Sequence, residues 1–241
     1  LAKPEGFKNI WYRDENIVEG STVAVLDVSK GCVARCTFCH RWTKGLRHVP
    51  IPELERRLRY LVENFNTKYI DVNAESFGND KRWLEGFLDM MKRYDITWRA
   101  AGVRANTFTE EWIKKCRDAG CTYLGFGNET GSVSMLKIME KKVDIQDNYN
   151  AMEWTIKNGL STGVQLVLGM PGESPSTVAE TIEYTKFCVT LSAEFDPNNL
   201  SINYAQALPG TALYEYGRAQ GLIGRSLKEE VIPFLDIEKY P

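Results

Sequence analysis

GCVARCTFCH, residues 31 to 40, sets Cys32, Cys36 and Cys39 in one loop with no fourth cysteine nearby. Thiolates are soft ligands, so the stretch calls for zinc or an iron–sulfur cluster. A structural zinc site closes its tetrahedron with four ligands in two separated pairs. No second pair exists here. His40 adjoins Cys39 and would have to fold back sharply, while Cys116, Cys121 and Cys188 belong to distant elements. A cubane cluster, by contrast, can be held at three corners by one compact loop, with its fourth iron open to a non-protein ligand.

Outward from this loop, short β-branched runs alternate with helical patterns, the order of parallel β/α units. TVAVLDVS (22–29) is the first strand. After the cysteine loop, Pro52 opens a helix with Leu54, Leu58, Leu61, Val62 and Phe65 on one face. KYIDVNA (68–74), ITWRAAGV (96–103), CTYLGFG (121–127), GVQLVLG (163–169) and NLSINYAQA (199–207) are the further strands. Between them lie helices striped by Trp83, Leu84, Phe87, Leu88 and Met91; by Trp112, Ile113 and Cys116 behind a Thr109 cap; and by Met135, Leu136 and Met139. A helix over about 147–158 and another through Val178 and Ile182 to about Leu191 complete the pattern, and LPGT leads to a short last helix. Six parallel units make either an open doubly wound sheet or a curved, partly open barrel, and periodicity does not separate them. In both, chemistry collects in the loops after strand C-termini. After the first, second, fourth, fifth and sixth strands these loops are GCVARCTFCH, AESFGND, NETGS, MPGES and LPGT.

The chain has 241 residues, 43% of them hydrophobic, enough for one α/β domain with a full core. Thirty basic against 32 acidic side chains leave a net charge of −2, which gives no global footprint for nucleic acid. There is no apolar run of membrane-spanning length and no signal-peptide core, and cysteines crowded in one loop suit a reducing compartment. A soluble cytoplasmic protein is expected. The start at Leu1 rather than Met suggests a processed product or a piece of something longer.

Cys-x3-Cys-x2-Cys after a first strand, with the aromatic Phe38 before the third cysteine, resembles the radical S-adenosylmethionine (radical SAM) superfamily. The resemblance covers roughly residues 20–215 and implies a partial (β/α)6 barrel of parallel strands with helices outside. It implies a 4Fe–4S cluster on Cys32, Cys36 and Cys39. S-adenosylmethionine would chelate the open iron and be split reductively to a 5′-deoxyadenosyl radical. Asn73, Ala74 and Glu75 stand where the family has a Gly-Gly-Glu-like stretch for the methionine amino group, with both glycines replaced. GFGNETGS resembles the branch of methylthiotransferases and cobalamin-dependent enzymes; it carries cofactor contact onto Glu129, with Ser132 capping the next helix. Lys141 falls where relatives set a basic residue against the cofactor carboxylate. Gln165 and Val167 match ribose and adenine positions, and Arg104 ends the third strand where a polar side chain meets the cofactor. The chemistry agrees: a carboxylate wants a cation, and a ribose diol wants carboxylate or amide acceptors.

GFGNETGS, MPGESPSTVAETIEY and ALPGTALYEYGRAQGLI together resemble the catalytic core of cobalamin-binding members, most of which methylate unactivated carbons. The Asp-x-His-x-x-Gly loop of their cobalamin domain is missing, since the only histidines are 40 and 48. Cobalamin would therefore come through a domain absent from this chain, or the enzyme works without it. The expected partners are a small-molecule substrate and a reductase such as flavodoxin or ferredoxin. The expected division is a lead-in (1–20), a core (21–207) and a C-terminal extension (208–241). The alternative of another class is a non-catalytic iron–sulfur or zinc module. Cys116, Cys121, Cys188 and the methionines at helical spacing read as core, and Arg56, Arg57 and Arg59 as a solvated face. His40, Trp42, Arg47 and His48 suit loop packing and substrate contact equally.

Overall fold

The computed structural model describes residues 21–40, 43–192 and 199–223; the lead-in 1–20, Trp42 and the extension beyond Ile223 lie outside the described residues. In chain order the elements are β1 (Thr22–Asp27), β2 (Ser29–Lys30), β3 (Arg47–His48), α1 (Ile51–Phe65), β4 (Thr67–Asn73), α2 (Lys81–Met91), β5 (Thr97–Val103), a 3-10 turn (Ala105–Thr107), α3 (Glu110–Asp118), β6 (Cys121–Glu129), α4 (Val133–Ile138), α5 (Ile145–Lys157), β7 (Val164–Leu168), α6 (Pro175–Thr190), β8 (Leu200–Tyr204) and α7 (Ala212–Ala219).

Strand order decides between the two architectures. The six-stranded sheet runs β1-β4-β5-β6-β7-β8, all parallel, so each long strand lies beside the next one in sequence. Right-handed crossovers that always step the same way put every crossover helix on one face. A doubly wound sheet would need a reversal of strand order, and none occurs. The sheet therefore curls into a half-barrel with the helices outside.

Alternation along the strands sorts the side chains accordingly. Leu26, Ile70, Val72, Trp98, Ala100, Leu124, Phe126, Val164 and Leu166 face the helices and form the core with Leu54, Leu84, Phe87 and Ile113. Trp98 is fully buried, and its indole N–H donates to the Ala119 carbonyl at 2.7 Å, so its one polar atom is satisfied. Burying a ring of this size contributes about 3 kcal/mol. The concave face is polar by contrast: Asp27, Asn73, Ser201 and Asn203 are exposed on it, and Arg99 grips Asp71 with two bonds of 3.0 Å.

Thr109 caps α3 as expected, accepting from the Trp112 amide, and Asp80 caps α2. The buried cysteines 116, 121 and 188 and Met90, Met91, Met135, Met139 and Met152 are core. Arg56 and Arg57 lie on a solvated face, paired with Glu53. Two expectations are corrected. Phe65, placed on the inner stripe of α1, is 46% exposed and leans edge-on against Tyr60, because the helix ends beside it. Along α6 the buried residues are Thr177, Thr181, Tyr184 and Cys188, while Ile182 is 49% exposed. The threonine hydroxyls there bond to neighbouring backbone carbonyls, so they can be buried without an unsatisfied polar atom.

Candidate active site

The cysteine loop leaves the C-terminal end of β1 and is closed by its own backbone. Gly31 has φ +89°, and a Cβ there would lie 2.1 Å from the Gly45 carbonyl oxygen, so no other residue fits. Cys32 bridges to Lys44, and the Cys39 amide donates to the Cys36 carbonyl at 3.2 Å, winding the last two cysteines into a turn. Three other elements pin the loop. The Gly31 amide donates to Glu75 beyond β4, at 3.1 Å; Thr37 donates from its amide and hydroxyl to Met139 and Ile138 at the end of α4; and Leu213 of α7 donates to the Thr37 carbonyl.

Cys32 and Cys36 are half-buried and Cys39 is exposed. The Cys39 thiol is nevertheless pushed above its usual range, first by the atoms crowding it and then by Cys36 and Cys32. Crowded soft donors of this kind are relieved by metal, so the donor set suits a cluster. No three metal-binding side chains among the described residues converge on a single ion. A cubane spreads its cysteines over separate irons and needs no such convergence.

Across from the loop, Arg104 reaches 3.8 Å to the Cys36 sulfur with one guanidinium nitrogen and donates with another to the Lys141 carbonyl. The Lys141 ammonium lies 2.5 Å from Glu129, which ends β6. Gly127 leaves the room for this pair, since a Cβ there would lie 2.6 Å from the Glu129 carboxylate and 2.9 Å from the Lys141 nitrogen. Glu129 itself has φ +63°, left-handed for a residue with a side chain. Its neighbour Asn128 is fully buried and anchors it from behind: the Asn128 amide donates to the Tyr184 hydroxyl at 2.7 Å, its carbonyl oxygen accepts from the Gln165 amide, and its backbone carbonyl accepts from Asn148. Pulling Asn128 into the core turns Glu129 onto the concave face.

Phe38 and Val167 pack on a second, smaller core of Met135, Met139, Met170, Ala205, Ala207, Leu213 and Tyr214. They also line a cavity of about 420 Å³ with Asn203, Gln206 and Leu208. The side chain of Asn73 donates to Asp27 at 2.5 Å, and the Ala74 carbonyl passes so close to Gly102 that a Cβ there would meet it at 2.7 Å. Ser132 stands at the α4 N-cap as expected, but its hydroxyl pairs with Ser134 and makes no capping bond, a correction to the reading of that side chain. The His48 ring stacks on Trp83, with centroids 4.4 Å apart. The ties of Glu75 to Gly31, of Arg104 to Cys36 and of Asn128 to Tyr184 escaped the sequence reading. Each joins segments far apart in the chain, and no spacing signals them.

A half-barrel of parallel β/α units with a three-thiol loop at the end of its first strand, facing a buried ion pair and a cavity, is the scaffold of a cluster-using enzyme. The match to the Radical SAM superfamily runs over residues 26–185, and the chain belongs to that family. The family reaction is cleavage of S-adenosylmethionine at an iron–sulfur cluster. An uncharacterised methyltransferase of Pyrococcus horikoshii is 29% identical over 220 residues, covering 87% of this chain and 45% of that protein. The chain thus spans about half the length of this curated relative. Among solved structures, the radical S-adenosylmethionine methyltransferase of Kitasatospora setae, with tryptophan substrate and a cofactor analogue, superposes with TM-score 0.70 at 17% identity, over 82% of this chain and 39% of that one. The cobalamin-dependent radical enzyme OxsB, with aqua-cobalamin and S-adenosylmethionine, gives 0.66 at 17% identity, over 81% and 35%. The likeness to these structures is one of fold. The chain is thus a radical SAM family member that shares its half-barrel fold with these radical enzymes. No helix among the described residues is long and apolar enough to cross a membrane.

Proposed function

We propose that Cys32, Cys36 and Cys39 hold a 4Fe–4S cluster at which S-adenosylmethionine is reductively cleaved, and that the radical chemistry serves methylation of a small organic substrate. When bound, the cluster supplies the electron and an open iron for the cofactor. The chain's residues do the rest. Lys141 opposes the cofactor carboxylate, Glu129 and Gln165 accept from the ribose hydroxyls, and Phe38 and Val167 wall the adenine. Asn73, Ala74 and Glu75 offer acceptors to the methionine ammonium, and Arg104 stands between the cluster sulfur and the cofactor side. Ser132 belongs to the turn behind Glu129. In this reading residues 21–207 form the catalytic core, 208–241 extend it, and cobalamin is held by a domain these residues do not contain.

The observation that carries the proposal is the convergence of the three-cysteine loop, Arg104 and the Glu129–Lys141 pair at the C-terminal ends of the strands. Anaerobic reconstitution with iron and sulfide, then reductant and S-adenosylmethionine, tests it. We expect a cluster-bound chain that forms 5′-deoxyadenosine, and a Cys36→Ala variant that retains neither iron stoichiometry nor cleavage. Full iron and cleavage in that variant defeats the assignment. Stoichiometric cobalamin retained by the chain alone defeats the absent-domain part.

A further inference from the structure

From Val28 to Pro52 the chain has no Asp or Glu, yet it carries Lys30, Arg35, Arg41, Lys44 and Arg47 in a protein of net charge −2. Lys30, Arg35, Lys44 and Arg47 are all exposed. Among the described residues none of the four has a carboxylate at ion-pair distance, whereas Arg57, Lys68 and Arg93 lean on Glu53, Asp95 and Glu55. Lys30 and Arg47 even stand directly opposite one another across the β2–β3 ribbon, an arrangement that costs stability when no counter-charge is supplied. Of the acids beside the loop, Glu75 is turned inward onto the Gly31 amide and Asp80 is engaged in capping α2. Between Cys32 and Cys36 the Val33 side chain stands 59% exposed. A small apolar tip within a charged rim is the anatomy of a transient protein interface.

We propose that this cationic collar is the docking surface for an acidic electron-carrier protein; the proposal rests on the functional reading above and adds where its electron enters. The counter-charges that the described residues do not bring to the collar lie on the partner, where complementary potentials steer encounter. The location selects a redox partner. Electron transfer weakens steeply with distance, and the collar is built on the cysteine loop itself, with Lys44 bridged to Cys32. One electron passes per encounter: the carrier's reduced centre is oxidised by one electron, the cluster gains it, and no bond or proton moves.

The test compares the full chain with a Lys30→Glu/Arg35→Glu/Lys44→Glu variant, using reduced flavodoxin of acidic surface as the probe. We expect association with flavodoxin to slow by about tenfold or more at low ionic strength, with the difference vanishing near 0.5 M salt. Iron content and dithionite-driven cleavage should stay within about twofold of wild type, since a small reductant needs no steering. Equal flavodoxin rates at low salt would overturn the proposal. So would a variant that loses affinity for tRNA but keeps its flavodoxin rate, which would give the collar to nucleic acid. If the wild-type chain took up no iron, the functional reading would fail separately, and calorimetric affinity of flavodoxin for the cluster-free chain would still decide the collar.

Discussion

Lys141 and Glu129, twelve residues apart, meet at 2.5 Å with side chains only 8% and 12% exposed. A pair this sheltered stabilises only while both members are present, since either charge alone would be left in a poorly solvated place. It also sets an ammonium and a carboxylate side by side on the concave face, suited to a ligand that brings a carboxylate for the one and hydroxyl donors for the other.

Gly127→Ala tests the room made for the pair. Its Cβ would come within 2.6 Å of the Glu129 carboxylate, so the pair must part or the strand must shift. Losing a charge-assisted contact costs about 1.5–3 kcal/mol, which predicts S-adenosylmethionine binding weaker by about 10- to 150-fold. Calorimetric titration reads the affinity and the visible spectrum reads the cluster, which should persist. An unchanged dissociation constant would remove the pair from the cofactor site.

Lys141→Ala separates binding from stability. Leaving Glu129 buried and unpaired should cost about 3 kcal/mol in denaturant unfolding. A Glu129→Gln/Lys141→Met double variant should recover most of that stability, because no lone charge remains, but should not recover cofactor affinity. Recovery of both would make the pair purely structural.

Arg104 offers a cation and an N–H to the Cys36 sulfur at 3.8 Å. Hydrogen bonds and charge at cluster sulfurs raise the reduction potential. Arg104→Leu should therefore lower the potential of the reconstituted cluster, measured by redox titration with electron paramagnetic resonance. A potential equal to wild type would restrict Arg104 to its bond with the Lys141 carbonyl.

Lys81 gives a pH-dependent prediction away from the cluster. Its ammonium donates to the Gly78 and Thr107 carbonyls over the Phe108 ring, and burial lowers its pKa from 10.5 to about 8. Between those values the unfolded chain binds more protons than the folded one, so stability rises with pH across that window. Below about 8 both states are protonated, and the folded state carries the whole cost of the buried charge. The stability of wild type minus that of Lys81→Met, from urea midpoints, should climb through this window and be flat below it. A flat difference throughout would show that Lys81 is not perturbed.

Much of the fold was legible from local signals. Hydrophobic periodicity placed the six long strands and their helices, Thr109 was readable as a cap, and the spacing of Cys32, Cys36 and Cys39 pointed to a metal-binding loop. Where reading failed, the cause was an environment that periodicity does not encode. Thr181 is buried on α6 and Ile182 is exposed because a hydroxyl bonded to its own helix tolerates burial. The strand CTYLGFG continues two residues further, to Glu129, because Asn128 is drawn into the core by Tyr184 and Asn148.

The sequence by itself determined the local quantities: which segments are strands and helices, which face of most is apolar, and which thiols lie close enough along the chain to share a cluster. These depend on neighbours a few residues away, whose geometry the backbone fixes. Strand order was decided only by the tertiary structure, because a parallel crossover can step to either side of a strand with the same periodicity. The pairs Glu75–Gly31, Arg104–Cys36 and Asn128–Tyr184 likewise exist only once the half-barrel has closed. A side chain's pattern records whether it leaves water, and the packing of distant elements settles what it then meets.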